Sequence, residues 1–399
     1  MPADTPLPRE LDYVLLLFAL FVVPRFLQRY RLPSAVTSVA LGALAGLAWS
    51  LFAQDRTVGL LATLGIVSLF LFAGLEVDFH ELRREAPILV QHLVLGVVAL
   101  LGVAVVIHTA LALAPRPAVL VALALLTPST GFILDALPSL HLTEGERFWI
   151  KSQSVATELV ALVVLFVTLQ STTLGGLTTS ALILAAMVLV LPVAFRLFAG
   201  RVVPYAPKSE FAFLLMVAVL CAYVTRRLGV YYLVGAFVVG ITAQRFRERL
   251  PAIASDQMLH AVEVFASFFV PFYFFNAGVH LRREDFGLDA LALGIAFLAT
   301  AIPLRIAIVA AHRRIALGET WRNGARIGVS MLPTLVFTLV IAEILRDQFA
   351  VPRAVFGGLI IYTLANTMIP GLTLRLPAPE FHVRHGSQDE PRGSAEGLP

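Results

Sequence analysis

Long apolar stretches recur along nearly the whole chain, and no other feature constrains its fold as strongly. Each is roughly 17 to 27 residues long, enough to cross about 30 Å of hydrocarbon at about 1.5 Å per residue. Apolar residues make up 58% of the 399 residues and charged residues only 14%. This composition excludes a soluble domain of such length. The chain is therefore predicted to be an all-α polytopic membrane protein.

We predict about 13 transmembrane helices from the limits of the apolar stretches. Their approximate ranges are 11–27, 32–53, 57–75, 86–114, 118–137, 147–170, 175–198, 209–227, 229–246, 258–280, 287–312, 321–345 and 354–375. Residues 1–10 lack the basic cluster of a signal peptide, and residues 377–399 have the composition of a disordered cytoplasmic tail. Lysine and arginine concentrate in alternate loops, which predicts an N-terminus outside and a C-terminus inside. A lone Cys221 excludes an internal disulfide and a cysteine metal site.

An internal repeat divides the chain into two related halves. Three short matches occur in the same order in both halves: Gly42 with Gly240, Phe70–Leu75 with Phe274–Val279, and Leu126–Pro128 with Met331–Pro333. Their offsets are all roughly 200 residues, which is the mark of a repeated unit. Residues 11–170 would form the first repeat, 171–200 a linker helix and 201–376 the second repeat. The single linker helix between the six-helix halves gives matched helices opposite orientations, so we predict inverted-topology repeats.

The repeat predicts where two helices are interrupted. Pro128 and Pro333 occupy matched positions, each about 15 to 18 Å deep in the membrane. A proline in a membrane helix is often a harmless kink, but these two are paired by the repeat and flanked by small polar residues. Inverted-repeat transporters place their substrate sites where such discontinuous helices cross. We therefore predict crossing, broken helices at the two prolines.

Glu158 is an acidic residue predicted about 16 Å inside a transmembrane helix. Charge is costly at that depth, so the residue indicates a functional site. A buried carboxyl group binds a proton and, once ionised, attracts a cation to the same oxygen atoms, as exchange requires. The alternative is a structural ion pair that holds helices together. The predicted ion and proton site comprises Glu158, Thr157, Thr127, Ser129 and Thr130.

Arg305 is an arginine predicted well inside a span. Arginine stays charged, so it cannot carry the proton. Three roles remain open: neutralising half-helix carbonyl ends, pairing with Glu158, or forming another structural ion pair. The predicted scaffold of the site comprises Arg305, Pro128, Pro333, Thr334 and Asn366. Asp135 lies nearer a helix end and is a candidate for a cytoplasmic funnel.

These segments resemble the cation:proton antiporter superfamily, in the branch that holds bacterial sodium/proton antiporters and Kef-type potassium efflux systems. The resemblance covers nearly the whole membrane part and rests on Leu69–Asp78, the Thr127–Pro128 break, the Glu158 segment, the Arg305 helix and Leu339–Ile344. It implies a homodimer of the bacterial inner membrane, with a scaffold domain and a core that moves by an elevator-like shift. Glu158 falls where the family has its ion-binding aspartate, and Arg305 where many members have a basic residue.

Two departures from the family pattern bear on mechanism. Many members carry a pair such as Asp-Asp or Asn-Asp where this chain has Thr157-Glu158. A single carboxylate predicts one proton per monovalent cation, an electroneutral exchange. Met331–Pro333 also replaces an Arg-Gly-Glu-like element before the second break.

The sequence favours a secondary transporter that exchanges sodium or potassium for protons. The alternatives are a gated potassium efflux channel or an ion-sensing relative, a membrane enzyme, and a symporter of organic anions. An enzyme would need clustered His, Asp or Ser in loops at one face, and the longest loops lack them. The predicted partners are the transported ions, the lipid bilayer and a second copy of the chain, without cofactor or nucleic acid.

Overall fold

The computed structural model describes residues 9–77, 83, 86–136, 142–171, 174–206, 209–229, 232–245 and 256–374. The described helices are α1 (Arg9–Gln28), α2 (Ser34–Trp49), α3 (Arg56–Leu75), α4 (Ala86–Ala110), α5 (Pro115–Leu126), α6 (Thr130–Ala136), α7 (Glu144–Gln170), α8 (Leu174–Arg201), α9 (Glu210–Arg227), α10 (Tyr232–Arg245), α11 (Asp256–Val279), α12 (Leu288–Leu317), α13 (Trp321–Ser330), α14 (Leu335–Phe349) and α15 (Arg353–Thr373). A 3-10 turn, Arg283–Asp285, precedes α12. No strand occurs in these ranges, so the predicted all-α fold is confirmed.

Every predicted segment contains a helix, but the predicted number of membrane spans is not confirmed. Within the described ranges, eight helical spans are long and apolar enough to cross a membrane, or nine if the bent pair α13–α14 counts as one. The helix α2 is apolar but has only 16 residues. The predicted tail, residues 377–399, lies outside the described residues.

Local capping fixes where α7 begins and therefore how deep Glu158 lies. Thr143 caps the helix by accepting a hydrogen bond from the Glu146 N–H, and the Glu146 carboxylate accepts one from the Thr143 N–H at 2.8 Å. This reciprocal capping box satisfies N–H groups that have no partner inside the helix. The first helical residue is Glu144, so Glu158 lies about 21 Å along the helix at 1.5 Å per residue.

Glycines bring two pairs of helices into backbone contact. A Cβ atom added at Gly42 would overlap the Phe275 carbonyl on α11, and one added at Gly278 would overlap the Val39 carbonyl on α2. Gly74 on α3 and Gly240 on α10 make a second contact of this kind. A Cβ atom added at Gly74 would overlap the carbonyl of residue 237, and one added at Gly240 would overlap the carbonyl of residue 71. Small residues allow such close approach of membrane helices. The sequence repeat relates Gly42 to Gly240 and Gly74 to Gly278, so it exchanges the two contacts, as an inverted repeat requires.

Fourteen of the fifteen described helices pack as two groups, and α8 contacts both. One contains α1–α3 and α9–α11, and the other contains α4–α7 and α12–α15; packing is dense within each group and sparse between them. Aromatic rings meet where the groups approach, Phe70 with Phe337 at 6.1 Å and Phe132 with Phe274 at 6.2 Å between centroids, both edge-on. The interrupted helices α5–α6 and α13–α14 both belong to the second group.

Candidate functional site

The two interrupted helices meet at their breaks. The first break separates α5 from α6 at residues 127–129, and the second separates α13 from α14, which are bent by 56°. The Ser129 N–H donates to the Pro333 carbonyl at 2.7 Å, and the Ser129 hydroxyl accepts from the Val336 N–H at 3.1 Å. Each break therefore supplies hydrogen-bond partners to the other. The predicted crossing at Pro128 and Pro333 is present.

Carbonyl groups at the end of α5 are satisfied by side chains of the second repeat. The Thr338 hydroxyl donates to the Ala124 carbonyl at 2.8 Å, and the Tyr362 hydroxyl donates to the Leu125 carbonyl at 2.7 Å. Both hydroxyl groups are buried. An interrupted helix leaves such carbonyls without intrahelical partners, and in a membrane interior each would be costly if unpaired. The first break is therefore built by both halves of the chain.

Arg305 satisfies the corresponding carbonyl groups at the end of α13. Its guanidinium donates to the Met331 and Leu332 carbonyls, both at 2.6 Å, and to the Tyr362 hydroxyl at 3.4 Å. In the described part of the chain it makes no ion pair with Glu158 or another acid. Of the three roles open at the sequence level, the structure shows the first.

Asn366 lies beside Arg305 at the second break. Its amide donates to the Leu332 carbonyl at 2.5 Å and approaches the Thr334 hydroxyl at 3.3 Å. Thr334 is itself 3.1 Å from the Thr363 hydroxyl, and all three side chains are buried. The predicted scaffold residues Arg305, Asn366 and Thr334 thus form one hydrogen-bonded cluster.

Glu158 lines a small cavity at the first break. The cavity has a volume of about 20 Å³, and Ser129, Thr130 and Glu76 also line it. The Glu158 side chain is 6% exposed, and its carboxyl group lies beside the hydroxyl and N–H of Thr130. A cavity needs a volume of roughly 10 to 15 Å³, on the same scale, to hold one water molecule. The cavity therefore has the size for a water molecule or a small ion next to a carboxylate.

Glu76 is a site residue that the sequence interpretation missed. It is partly buried at the C-terminal cap of α3, and its charge acts on Glu158. At the sequence level it had no role beyond its place at the predicted end of a helix. In the structure that helix end points to the crossing, because α3 packs against α10 and α11 inside the protein. The signal available was its place in the family-like phrase Leu69–Asp78.

Two predicted ion-binding residues line a different cavity. Thr127 and Thr157 lie with Pro128 and Arg305 around a space of about 90 Å³ that shares no lining residue with the Glu158 cavity. The Thr157 hydroxyl accepts a hydrogen bond of 3.3 Å from the Gln153 amide. The backbone of Asp135 lies in α6, but its side chain is outside the described part of the structure.

The fold and the site define a multi-pass membrane transporter with crossed, interrupted helices. The sequence model of the family described as "Sodium/hydrogen exchanger, transmembrane" matches residues 15–378. The chain belongs to this sodium/hydrogen exchanger family. The predicted resemblance to cation:proton antiporters is thereby confirmed.

Individual relatives agree with the family assignment. The chain is 23% identical to "Probable Na(+)/H(+) antiporter 3" of Methanocaldococcus jannaschii over 91% of this chain and 95% of that protein. It is also 23% identical to "Na(+)/H(+) antiporter NhaS5" of Synechocystis sp., over 91% of this chain and 53% of that longer protein. The structure of the sodium proton antiporter MjNhaP1 from M. jannaschii at pH 8 superposes with a TM-score of 0.64. That match covers 90% of this chain and 92% of the other at 13% identity, and it supports the fold alone.

Proposed function

We propose that this protein exchanges a monovalent cation, sodium or potassium, for protons across the membrane. The observation that carries the proposal is the buried Glu158 carboxyl group in a small cavity where two broken helices cross. Both curated relatives described above are named Na(+)/H(+) antiporters. In a site of this size, a cation and a proton compete for the same oxygen atoms, so one must leave before the other binds.

Each side chain at the crossing has a distinct part in the exchange. Glu158 holds the proton or the cation, and the oxygen atoms of Ser129 and Thr130 complete the cation's shell. Small cations bound without most of their water need such hard oxygen ligands. Arg305 keeps its charge throughout and holds the Met331 and Leu332 carbonyls in place. The scaffold of the site therefore stays fixed while the occupant of Glu158 changes.

An elevator-type movement is the proposed route between the two sides of the membrane. Its support is the sparse packing between the two helix groups and the aromatic edges that meet there. The group with both breaks would slide as a body past the group with α1–α3 and α9–α11. The group with α1–α3 and α9–α11 would form the contact between the two subunits of a homodimer. The proposed location is a bacterial inner membrane. The N-terminus would lie outside, because this orientation places the basic loops in the cytoplasm.

Exchange by purified protein in liposomes is the direct test. We expect an inward sodium or potassium gradient to drive protons out, and replacing gluconate by the permeant anion thiocyanate to leave the rate unchanged. A one-for-one exchange moves no net charge, so collapsing the membrane potential has no effect on it. A thiocyanate-dependent rate would overturn electroneutrality, and absence of cation-driven proton movement would overturn exchange itself. Flux far above carrier rates would favour the channel alternative.

The variant Glu76→Gln tests whether the second carboxylate of the cavity attracts the cation. We expect the apparent KM for sodium to rise roughly tenfold, since losing about 1.4 kcal/mol of attraction corresponds to that factor, while the maximal rate changes little. Sodium uptake measured over a concentration series checks this. Glu144→Gln, an exposed position at the start of α7, is the matched control. An unchanged KM would show that Glu76 does not contribute to binding.

A further inference from the structure

A cavity of about 90 Å³ next to the crossing shares Arg305 with the site, but the proposed exchange does not use its space. It lies between α4, α5, α7, α12 and α13, and its walls are mostly apolar. Apolar cavities with a few convergent polar groups are typical of sites for small organic ligands. The polar groups in this lining are Arg305, His92, Thr127 and Thr157.

Arg305 gives the cavity a positive charge, and among the described residues no acid is paired with it. A guanidinium group has five N–H donors, and three are used in the bonds to the Leu332 and Met331 carbonyls and the Tyr362 hydroxyl. No carboxylate lies within ion-pair distance of it in the described ranges. Carbonyl dipoles offset only part of a buried charge, whereas a carboxylate forms short, charge-assisted bonds with two N–H groups. A bound anion would supply the rest of the counter-charge.

The cavity lies behind a helix whose outer face is built for lipid. Along α4, large apolar side chains are exposed at Val94, Val98, Leu101 and Val105. Gly96, on the same helix, lines the cavity, and a Cβ atom added there would meet no atom within 4 Å. At Gly96 the helix thus leaves a gap without a side chain, next to an exposed apolar surface suited to the hydrocarbon of a bilayer.

We propose that this cavity binds a long-chain fatty acid, with its carboxylate on Arg305 and its hydrocarbon chain leading out past Gly96 to the lipid. The charge of Arg305 selects the anionic head, and the apolar walls and the gap in α4 accept the chain. The bound carboxylate draws the guanidinium from the Met331 and Leu332 carbonyls, which hold the second break. Binding of the fatty acid therefore slows ion exchange. This effect on exchange rests on the proposed function.

Photolabelling tests the binding without reference to transport. The full-length protein in phosphatidylcholine nanodiscs is labelled with palmitate carrying a diazirine, and the labelled residues are identified by peptide mass spectrometry. We expect labels on the cavity-lining parts of α4 and α12, reduced at least tenfold by excess oleate and little by oleyl alcohol. Equal competition by the uncharged alcohol, or labels confined to the outer lipid-facing residues, would overturn the proposal.

A pair of glycine variants on α4 locates the site. Gly96→Phe fills the cavity and is expected to remove the specific label, whereas Gly102→Phe is expected to keep it. Gly102 is exposed on the same helix and also has open space around it. If Gly96→Phe gives no monodisperse protein, Gly96→Leu takes its place. Labelling that survives the filled cavity contradicts the assignment.

The effect of the fatty acid on exchange is measured as uptake of radioactive sodium. A proton-flux assay is unsuitable here, because fatty acids themselves carry protons across bilayers. We expect oleate to reduce uptake by the wild type several-fold and to leave uptake by Gly96→Phe unchanged. Equal inhibition of both would overturn the proposed effect on exchange. If the wild type takes up neither sodium nor potassium, the proposed function fails, and the labelling result still decides whether the cavity binds a fatty acid.

Discussion

Replacing Glu158 by glutamine is expected to reduce sodium uptake to the level of protein-free liposomes. Glutamine has nearly the same shape, but it carries no negative charge for the cation and releases no proton. The fold should tolerate the change, because no buried ion pair involves Glu158 in the described structure. Uptake of radioactive sodium into proteoliposomes, together with thermal unfolding in detergent, checks both expectations.

Two further variants show whether the carboxylate itself is required. Glu158→Asp keeps the charge and is expected to retain measurable exchange, with a changed KM because the carboxylate sits about one methylene further from Ser129 and Thr130. Glu144→Gln, exposed on the same helix, is expected to behave like the wild type. In the wild type, protons compete with sodium, so the apparent KM for sodium should rise as the pH falls. Uptake by Glu158→Gln near the wild-type level would refute the assignment of this residue.

Replacing Arg305 by methionine is expected to destabilise the protein and to abolish most exchange. The change leaves the Met331 and Leu332 carbonyls without their guanidinium partner in a buried site. The Leu332 carbonyl keeps the Asn366 amide as a donor, whereas a buried carbonyl left unpaired costs about 1 to 3 kcal/mol, and the second break loses the group that fixes its shape. A lower unfolding temperature and a lower maximal rate of sodium uptake are the measurements.

Arg305→Lys separates charge from geometry. Lysine keeps the positive charge but lacks the planar fork that reaches two carbonyls at once. We therefore expect stability and rate between those of the wild type and Arg305→Met. Arg314→Met is the matched control, because Arg314 is exposed on the same helix and, among the described residues, its side chain donates to the Glu319 carbonyl alone, at 3.2 Å. If Arg305→Met matched the control in stability, Arg305 would not support the break.

Much of the fold was predictable because it depends on local sequence. Apolar length located the helices, and the pairing of Pro128 with Pro333 by the repeat located the breaks, since proline in a helix interior removes a backbone hydrogen bond. The partners of those breaks were not predictable. Thr338 and Tyr362 reach carbonyls 214 and 237 residues away along the chain, and no pattern in their own helices indicates it.

The candidate site was only partly predictable for the same reason. Depth along a helix was enough to select Glu158, because a buried acid is unusual at any membrane midplane. Glu76 was missed, since helix length alone cannot show that α3 ends inside the protein. Thr157 and Glu158 are neighbours in sequence, yet they line separate cavities because adjacent helical residues point in directions about 100° apart.

The unequal breaks have a consequence for the direction of transport. If the two halves of the repeat were identical, the two-fold axis would make the inward-facing and outward-facing states equal in energy. Here the second pair of half-helices is bent by 56°, whereas the first pair stays within one span of residues 115–133. Arg305 supports one break and hydroxyl groups support the other. For the proposed exchange, the resting protein is therefore expected to favour one side of the membrane, and its two transport rates are expected to differ under equal and opposite gradients.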